Sequence, residues 1–199
     1  QLSACGILAV GGVAAGASVM ADRRTPGVQA IDNGIEMEAN AALSKRFGDN
    51  AHINVTSFNQ KVLLTGEAKD ADIKGEAGAY VKAMKNARTV FNEIVIGPNS
   101  TYTARANDSY LESKIKTQMI FTDKLPSNSM SIVAEGTSIY LMGILTQNEA
   151  DLAKKVASNT NGVKDVYVYF DIISDAEKNR LEKQGKADES QPNSPPKFQ

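Results

Sequence analysis

Apolar residues recur at three- and four-residue spacing through Ile35, Ala39, Ala42, Leu43 and Phe47, which is the stripe of an amphipathic helix. The period then drops to two. Ile53, Val55 and Ser57 alternate with Asn54, Thr56 and Phe58, Asn59-Gln60 sits where a tight turn belongs, and Val62-Leu63-Leu64-Thr65-Gly66 returns as a second strand. A second helix is predicted from about Asp70 to Met84, with Ile73, Ala77, Tyr80, Val81 and Met84 on one side. A strand over Thr89–Val95 closes the unit.

The same order returns after Gly-Pro-Asn-Ser-Thr at 97–101. It predicts a helix from Asp108 to Ile120, strands near 130–134 and 138–143, a helix over 147–159 and a strand over 164–171. The repeat has a register. An offset of 76 places Asp32 on Asp108, Ile35 on Leu111, Ala39 on Ile115 and Leu43 on Met119; an offset of 77 places Val62 on Ile139, Leu64 on Leu141 and Gly66 on Gly143. The short connection makes the first two strands of each unit antiparallel, and the helical crossover makes the second and third parallel. The expected fold class is therefore α+β: two tandem two-layer α/β sandwiches, each ordered helix-strand-strand-helix-strand over a three-stranded mixed sheet. Docking the two copies would bury more apolar surface, with no residue marking their orientation. The units span 31–96 and 108–173, joined by a linker at 97–107.

Composition narrows the chemistry. Lys+Arg 22 against Asp+Glu 23 leaves a net charge of −1, far from the basic balance that phosphate-backbone binding requires, which argues against nucleic acid as a partner. One Cys and one His exclude a Cys/His zinc site and an intrachain disulfide. His52, next to Asn50 and Ala51, reads as a surface or capping residue, and no Gly-rich phosphate loop occurs. No cofactor and no enzyme activity are expected. Asp108-Ser109 reads as an N-cap, with Glu112 reaching back to it.

The chain opens Gln1-Leu2-Ser3-Ala4-Cys5-Gly6, which resembles the lipobox of a bacterial lipoprotein signal peptide, so residues 1–4 are expected to be a signal remnant and Cys5 the acylated residue. Residues 6–21 follow without a charge, carrying four glycines and five alanines, and end at Asp22-Arg23-Arg24. Sixteen residues fall short of the roughly 20 of a spanning helix. Residues 5–30 therefore read as a lipid-anchored tether, with a buried core helix as the alternative for 6–21. At the other end, 174–199 reads as a tail: a charged helix from Asp175, then a Ser/Gln/Pro-rich stretch expected to be disordered.

The unit, with Gly closing its second strand and Gly162-Val163-Lys164-Asp165-Val166-Tyr167-Val168 opening its third, resembles the BON domain. The first copy has Asn86-Ala87-Arg88-Thr89-Val90 at that place and is identified through the repeat. Lipobox, small-residue tether and two units together resemble the dual-BON outer-membrane lipoproteins of Gram-negative bacteria. Ala42-Leu43-Ser44-Lys45, Ile53-Asn54-Val55-Thr56, Lys61-Val62-Leu63-Leu64, Asn107-Asp108 and Leu141-Met142-Gly143 carry that likeness.

With Leu111, Ile115 and Met119 turned to the core, Tyr110, Lys114 and Thr117 fall on a neighbouring exposed line, with Lys116 and Lys124 nearby. A polar-tipped aromatic beside lysines suits a lipid headgroup layer, although an ordinary exposed Tyr among solvated lysines would look the same. The first copy has Gly34, Glu38 and Asn40 at the places of Tyr110, Lys114 and Lys116. Neither unit is basic overall, so attraction to anionic lipid would be local. The resemblance implies that Tyr110, in place of a Trp, occupies the aromatic position of the family's lipid-facing helix. The expectation is a lipoprotein on the periplasmic side of the outer membrane that binds anionic phospholipid through its second unit and supports envelope integrity. A protein adaptor docking an envelope assembly machine is the alternative.

Overall fold

The computed structural model describes residues 22–189. Cys5, residues 1–4, most of the tether and the end of the tail thus lie outside the described residues. Helix α1 (Pro26–Phe47) starts well before its apolar stripe, because Thr25 Oγ1 accepts the Val28 N–H and Pro26 takes the first helical position. Residues 26–30, expected in the tether, are therefore helical. Strands β1 (Ala51–Phe58) and β2 (Lys61–Ala68) pair antiparallel through Asn59 and Gln60, whose φ values of 53° and 62° make the primed turn that matches strand twist.

Asp70 caps α2 (Ala71–Lys82), which leads to β3 (Thr89–Asn92) and β4 (Val95–Ile96), both parallel to β2. The single strand expected over 89–95 is broken. Asn92 Nδ2 donates to the Lys74 carbonyl, its Oδ1 accepts the Ile94 N–H, and the ladder steps out for two residues while Ile94 enters the core.

The second unit contains α3 (Tyr102–Ile120), the antiparallel pair β5 (Met130–Glu135) and β6 (Ser138–Leu145), α4 (Gln147–Ser158) and β7 (Asp165–Ile172), parallel to β6. Helix α3 starts six residues earlier than its apolar stripe indicates, so half of the expected linker is helical. Its cap is Thr101, whose Oγ1 accepts the Ala104 N–H; Asp108 and Glu112 point at β5 instead. A further helix, α5 (Asp175–Glu189), runs past Gln184, the end expected for the charged helix, and past Ala187, where the stretch expected to be disordered begins.

Each helix pair covers one sheet face. Ile35, Ala39, Leu43, Val62, Leu64 and Val81 fill the first core, and Leu111, Ile115, Met119, Ile139, Leu141 and Ala153 the second. The opposite sheet faces then meet each other. Phe58 and Leu63 pack with Val133, Tyr140, Met142 and Ile144, and the rings of Phe91 and Tyr169 stack at 4.1 Å. The molecule is thus four layers deep, helices outside and sheets within, and both sheets are buried on two faces. Polar contacts rim this seam: Lys61 to Asp171 at 2.7 Å, Asn54 Nδ2 donating to Glu135, and the Tyr169 hydroxyl donating to Glu93 at 2.8 Å. Burial foremost, then the Glu93 charge, pushes the Tyr140 phenol up to about 12.

Candidate functional site

Helix α3 buries Leu111, Ile115 and Met119, which turns positions 110, 114, 117 and 121 outward. Tyr110 is 68% exposed and Phe121 79%, and Tyr102 and Ile120 are exposed beside them. From Tyr110 to Phe121 this row runs about 16 Å along the helix. Of the lysines expected here, Lys114 lies on the row, its Nζ donating to the Asn161 carbonyl at 3.0 Å. Lys124 is exposed three residues past Phe121, in a left-handed turn with φ 66°. Phe121 extends the row beyond the residues the sequence singled out, while Tyr102 and Ile120, about 80° further round the helix, are exposed off it. The repeat register held the signal for Phe121, which falls on Lys45 of the first copy.

Lys116 is not on this row. It belongs to a second line of α3, with Asp108 and Glu112, that covers the outer edge of β5. Glu112 accepts the Ala134 N–H and Asp108 accepts the Gly136 N–H, both at 2.8 Å. Helix α1 does the same for β1 at matching register: Asp32 accepts from Asn59 and Gln60, Glu36 from Ser57, and Asn40 from Val55. Lys116 replaces that asparagine and has no acceptor to offer. Its amine donates to the Ser127 carbonyl, and burial lowers its pKa while nearby Asp22 partly restores it. The groove it borders, about 330 Å³, is lined by Glu112, Ser113, Met130, Ser131 and Ile132. Of these carboxyls, Glu36, Asp108 and Glu112 are raised, all chiefly by burial.

A polar cleft of about 390 Å³ opens between the units, where Asn40, His52, Asn54, Arg105, Asp108 and Glu135 converge. His52 Nδ1 stands 3.6 Å from Glu67 Oε2, and Glu135 is raised, first by burial and then by Glu67 and Asp108. Among the described residues no group of three or more His, Cys, Asp or Glu is placed to hold a metal ion, and no helix is long and apolar enough to cross a membrane.

The family model of the BON domain matches twice, over residues 32–98 and 107–173. The chain belongs to the BON-domain family. Among its relatives is the outer membrane lipoprotein DolP of Haemophilus influenzae, 30% identical over 174 residues that cover 86% of this chain and 90% of that protein. The 21 kDa hemolysin of Actinobacillus pleuropneumoniae is 29% identical over 76% of this chain and 79% of its own length. Two BON units and the extent of the first likeness place the chain with the dual-BON outer-membrane lipoproteins. Of solved structures, CdsD, a structural protein of the type III secretion system of Chlamydia trachomatis, covers 75% of this chain and 68% of its own at 14% identity and TM-score 0.29.

Proposed function

We propose that the chain is held in the outer membrane by acylation of Cys5 and that α3 of the second BON unit engages anionic phospholipid on the periplasmic side, supporting envelope integrity without catalysis. The observation that carries this reading is the exposed row Tyr110–Phe121, flanked by Lys114 and Lys124. The polar-tipped Tyr110 ring suits the headgroup level, and a buried Phe is worth roughly 1.5–3 kcal/mol. Each lysine near an anionic surface adds about 1 kcal/mol. A total of about 4 kcal/mol corresponds to a Kd near 1 mM, weak for free protein. An acyl chain changes that, because tethering raises effective concentration without a new contact. Helix α1 lacks the feature: Gly34, Glu38 and Lys45 stand where α3 has Tyr110, Lys114 and Phe121.

NMR titration of the Cys5→Ser chain with anionic and zwitterionic micelles tests the reading. Shifts confined to Tyr110, Lys114, Phe121 and Lys124 and seen with anionic micelles alone are expected; shifts on α1, or none, overturn it. The adaptor reading has one observation of its own, the outer edge of β7, where Tyr167, Val168 and Ile172 are exposed. A protein partner protecting that edge from hydrogen exchange would favour it.

A further inference from the structure

Two segments flank the pair of BON units, the strap Asp22–Thr25 before α1 and helix α5 after β7. They meet on one side chain. Arg23 is buried, its side chain 1% exposed, and its guanidinium makes a bidentate pair with Glu149 at 2.7 and 2.9 Å. It also donates to the Ile144 carbonyl and to Glu182 of α5 at 2.9 Å, while its backbone N–H donates to Ser129 Oγ. Lys178 of α5 completes the group with a 2.8 Å contact to Glu149. Two cations and two carboxylates therefore balance inside the second unit, each relying on the others to offset its desolvation.

The next residue turns the other way. Arg24 pairs with the buried Asp32 of the first unit at 2.9 Å, and its guanidinium lies 3.9 Å from the centre of the Phe58 ring, which belongs to the seam between the sheets. One dipeptide thus grips each unit with one arginine. Helix α5 adds Leu181 to the same seam, beside Ile173.

We propose that the strap and α5 form a latch, closed on Arg23, that fixes the orientation of the two BON units relative to each other. Arg23 is its positioning residue, and α5, which contributes Glu182, Lys178 and Leu181, is the part that can come away while the Arg23–Glu149 pair stays. The inference is independent of lipid binding: it concerns how the two units are held together, whatever α3 contacts.

The test uses the full chain with Cys5→Ser and compares the parent, Arg23→Gln, Arg23→Lys and Glu182→Lys. Three measurements are made on each: hydrogen exchange of α5, the rate of trypsin cleavage at Arg23-Arg24, or at Arg24 where Arg23 is replaced by Gln, and the distance distribution between spin labels at Met37→Cys and Lys155→Cys. The parent should give a narrow distribution and slow cleavage. Glu182→Lys should speed exchange of α5 at least tenfold and broaden the distribution while cleavage stays slow, because Arg23 keeps Glu149 and Arg24 keeps Asp32. Arg23→Gln should speed cleavage as well, and exchange at Val62 and Ile139 in the two cores stays as in the parent. Arg23→Lys should fall between parent and Arg23→Gln. If Arg23→Gln does not fold, Glu182→Lys decides alone, since it leaves Arg23 paired with Glu149. An α5 that stays protected in Glu182→Lys, or one that opens with the distance distribution unchanged, overturns the proposal.

Discussion

At Gly66 the backbone runs at φ 99°, and a Cβ there would stand 2.0 Å from the His52 carbonyl oxygen. Replacing Gly66 with Ala therefore meets both a left-handed backbone and a clash with main chain, which together should cost about 3 kcal/mol or more by chemical denaturation. Gly34→Ala is the contrast: it sits in α1 with nothing near its Cβ, and should gain about 0.5–1 kcal/mol. The equivalent Gly143 was legible beside Gly66 from the repeat alone. A Cβ on it would stand 2.8 Å from the Ser129 carbonyl, the residue 77 positions beyond His52. What the sequence could not tell was the direction of a long side chain. The helix pattern puts Lys114 on the exposed line and Lys116 near it, yet the Lys116 amine reaches down to the Ser127 carbonyl. Tyr110→Ala and Phe121→Ala should each weaken binding to anionic vesicles severalfold, whereas Lys116→Met should leave it within twofold, as measured by vesicle sedimentation.

Between elements, the first helix of each unit does two jobs, filling a core and closing a strand edge that would otherwise present free N–H groups to another chain. Asp32 is the stronger of the two equivalent caps. It is 1% exposed and accepts from the Ser57 hydroxyl and the N–H groups of Asn59 and Gln60 while pairing with Arg24; Asp108 accepts from Gly136 alone. Asp32→Ala should cost about 3–5 kcal/mol, since it leaves three donors without their acceptor and Arg24 with Asp22 as its remaining carboxylate, and Asp108→Ala about 1 kcal/mol. Urea midpoints of the two variants give the comparison. The stripe Leu111-Ile115-Met119 revealed α3, but its first two turns, Tyr102 to Asn107, have no apolar periodicity, and only the Thr101 cap marks where they begin. The break after Asn92 was equally hidden, because it depends on a side-chain bond to Lys74 from the neighbouring helix.

Across the whole molecule, stability should respond to pH in two opposed ways. Glu149 is pushed up by burial, but hydrogen bonds from Arg23, Lys178 and the Thr146 N–H, with the Arg23 charge, outweigh this and hold it at about 2. A depressed carboxyl stabilises above its unfolded value and loses that contribution as pH falls toward 2, here on the order of 3 kcal/mol. Glu135, Glu112, Glu36 and Asp108 are raised, chiefly by burial, so they destabilise once pH climbs past the ordinary carboxylate range. Tm should therefore rise as pH drops from 7 into that range and fall steeply below it. Glu135→Gln should flatten the neutral side, and Glu149→Gln the acid side, in a scan of Tm against pH. Neither branch was visible in the sequence, since Arg23 and Glu149 lie 126 residues apart. The seam itself left a trace: Val62-Leu63-Leu64 and Ile139-Tyr140-Leu141-Met142 are apolar at odd and even positions alike, as a strand buried on two sides must be.

That seam bears on how the protein can be taken apart. Either half produced alone would display an uncovered apolar sheet, Phe58, Leu63 and Phe91 in one case, Tyr140, Met142 and Tyr169 in the other. Such fragments should self-associate or stick to detergent and lipid indiscriminately, as light scattering would show. Vesicle capture by an isolated half would then report the cut surface rather than the native one, and dissection is best done by point substitution within the intact chain.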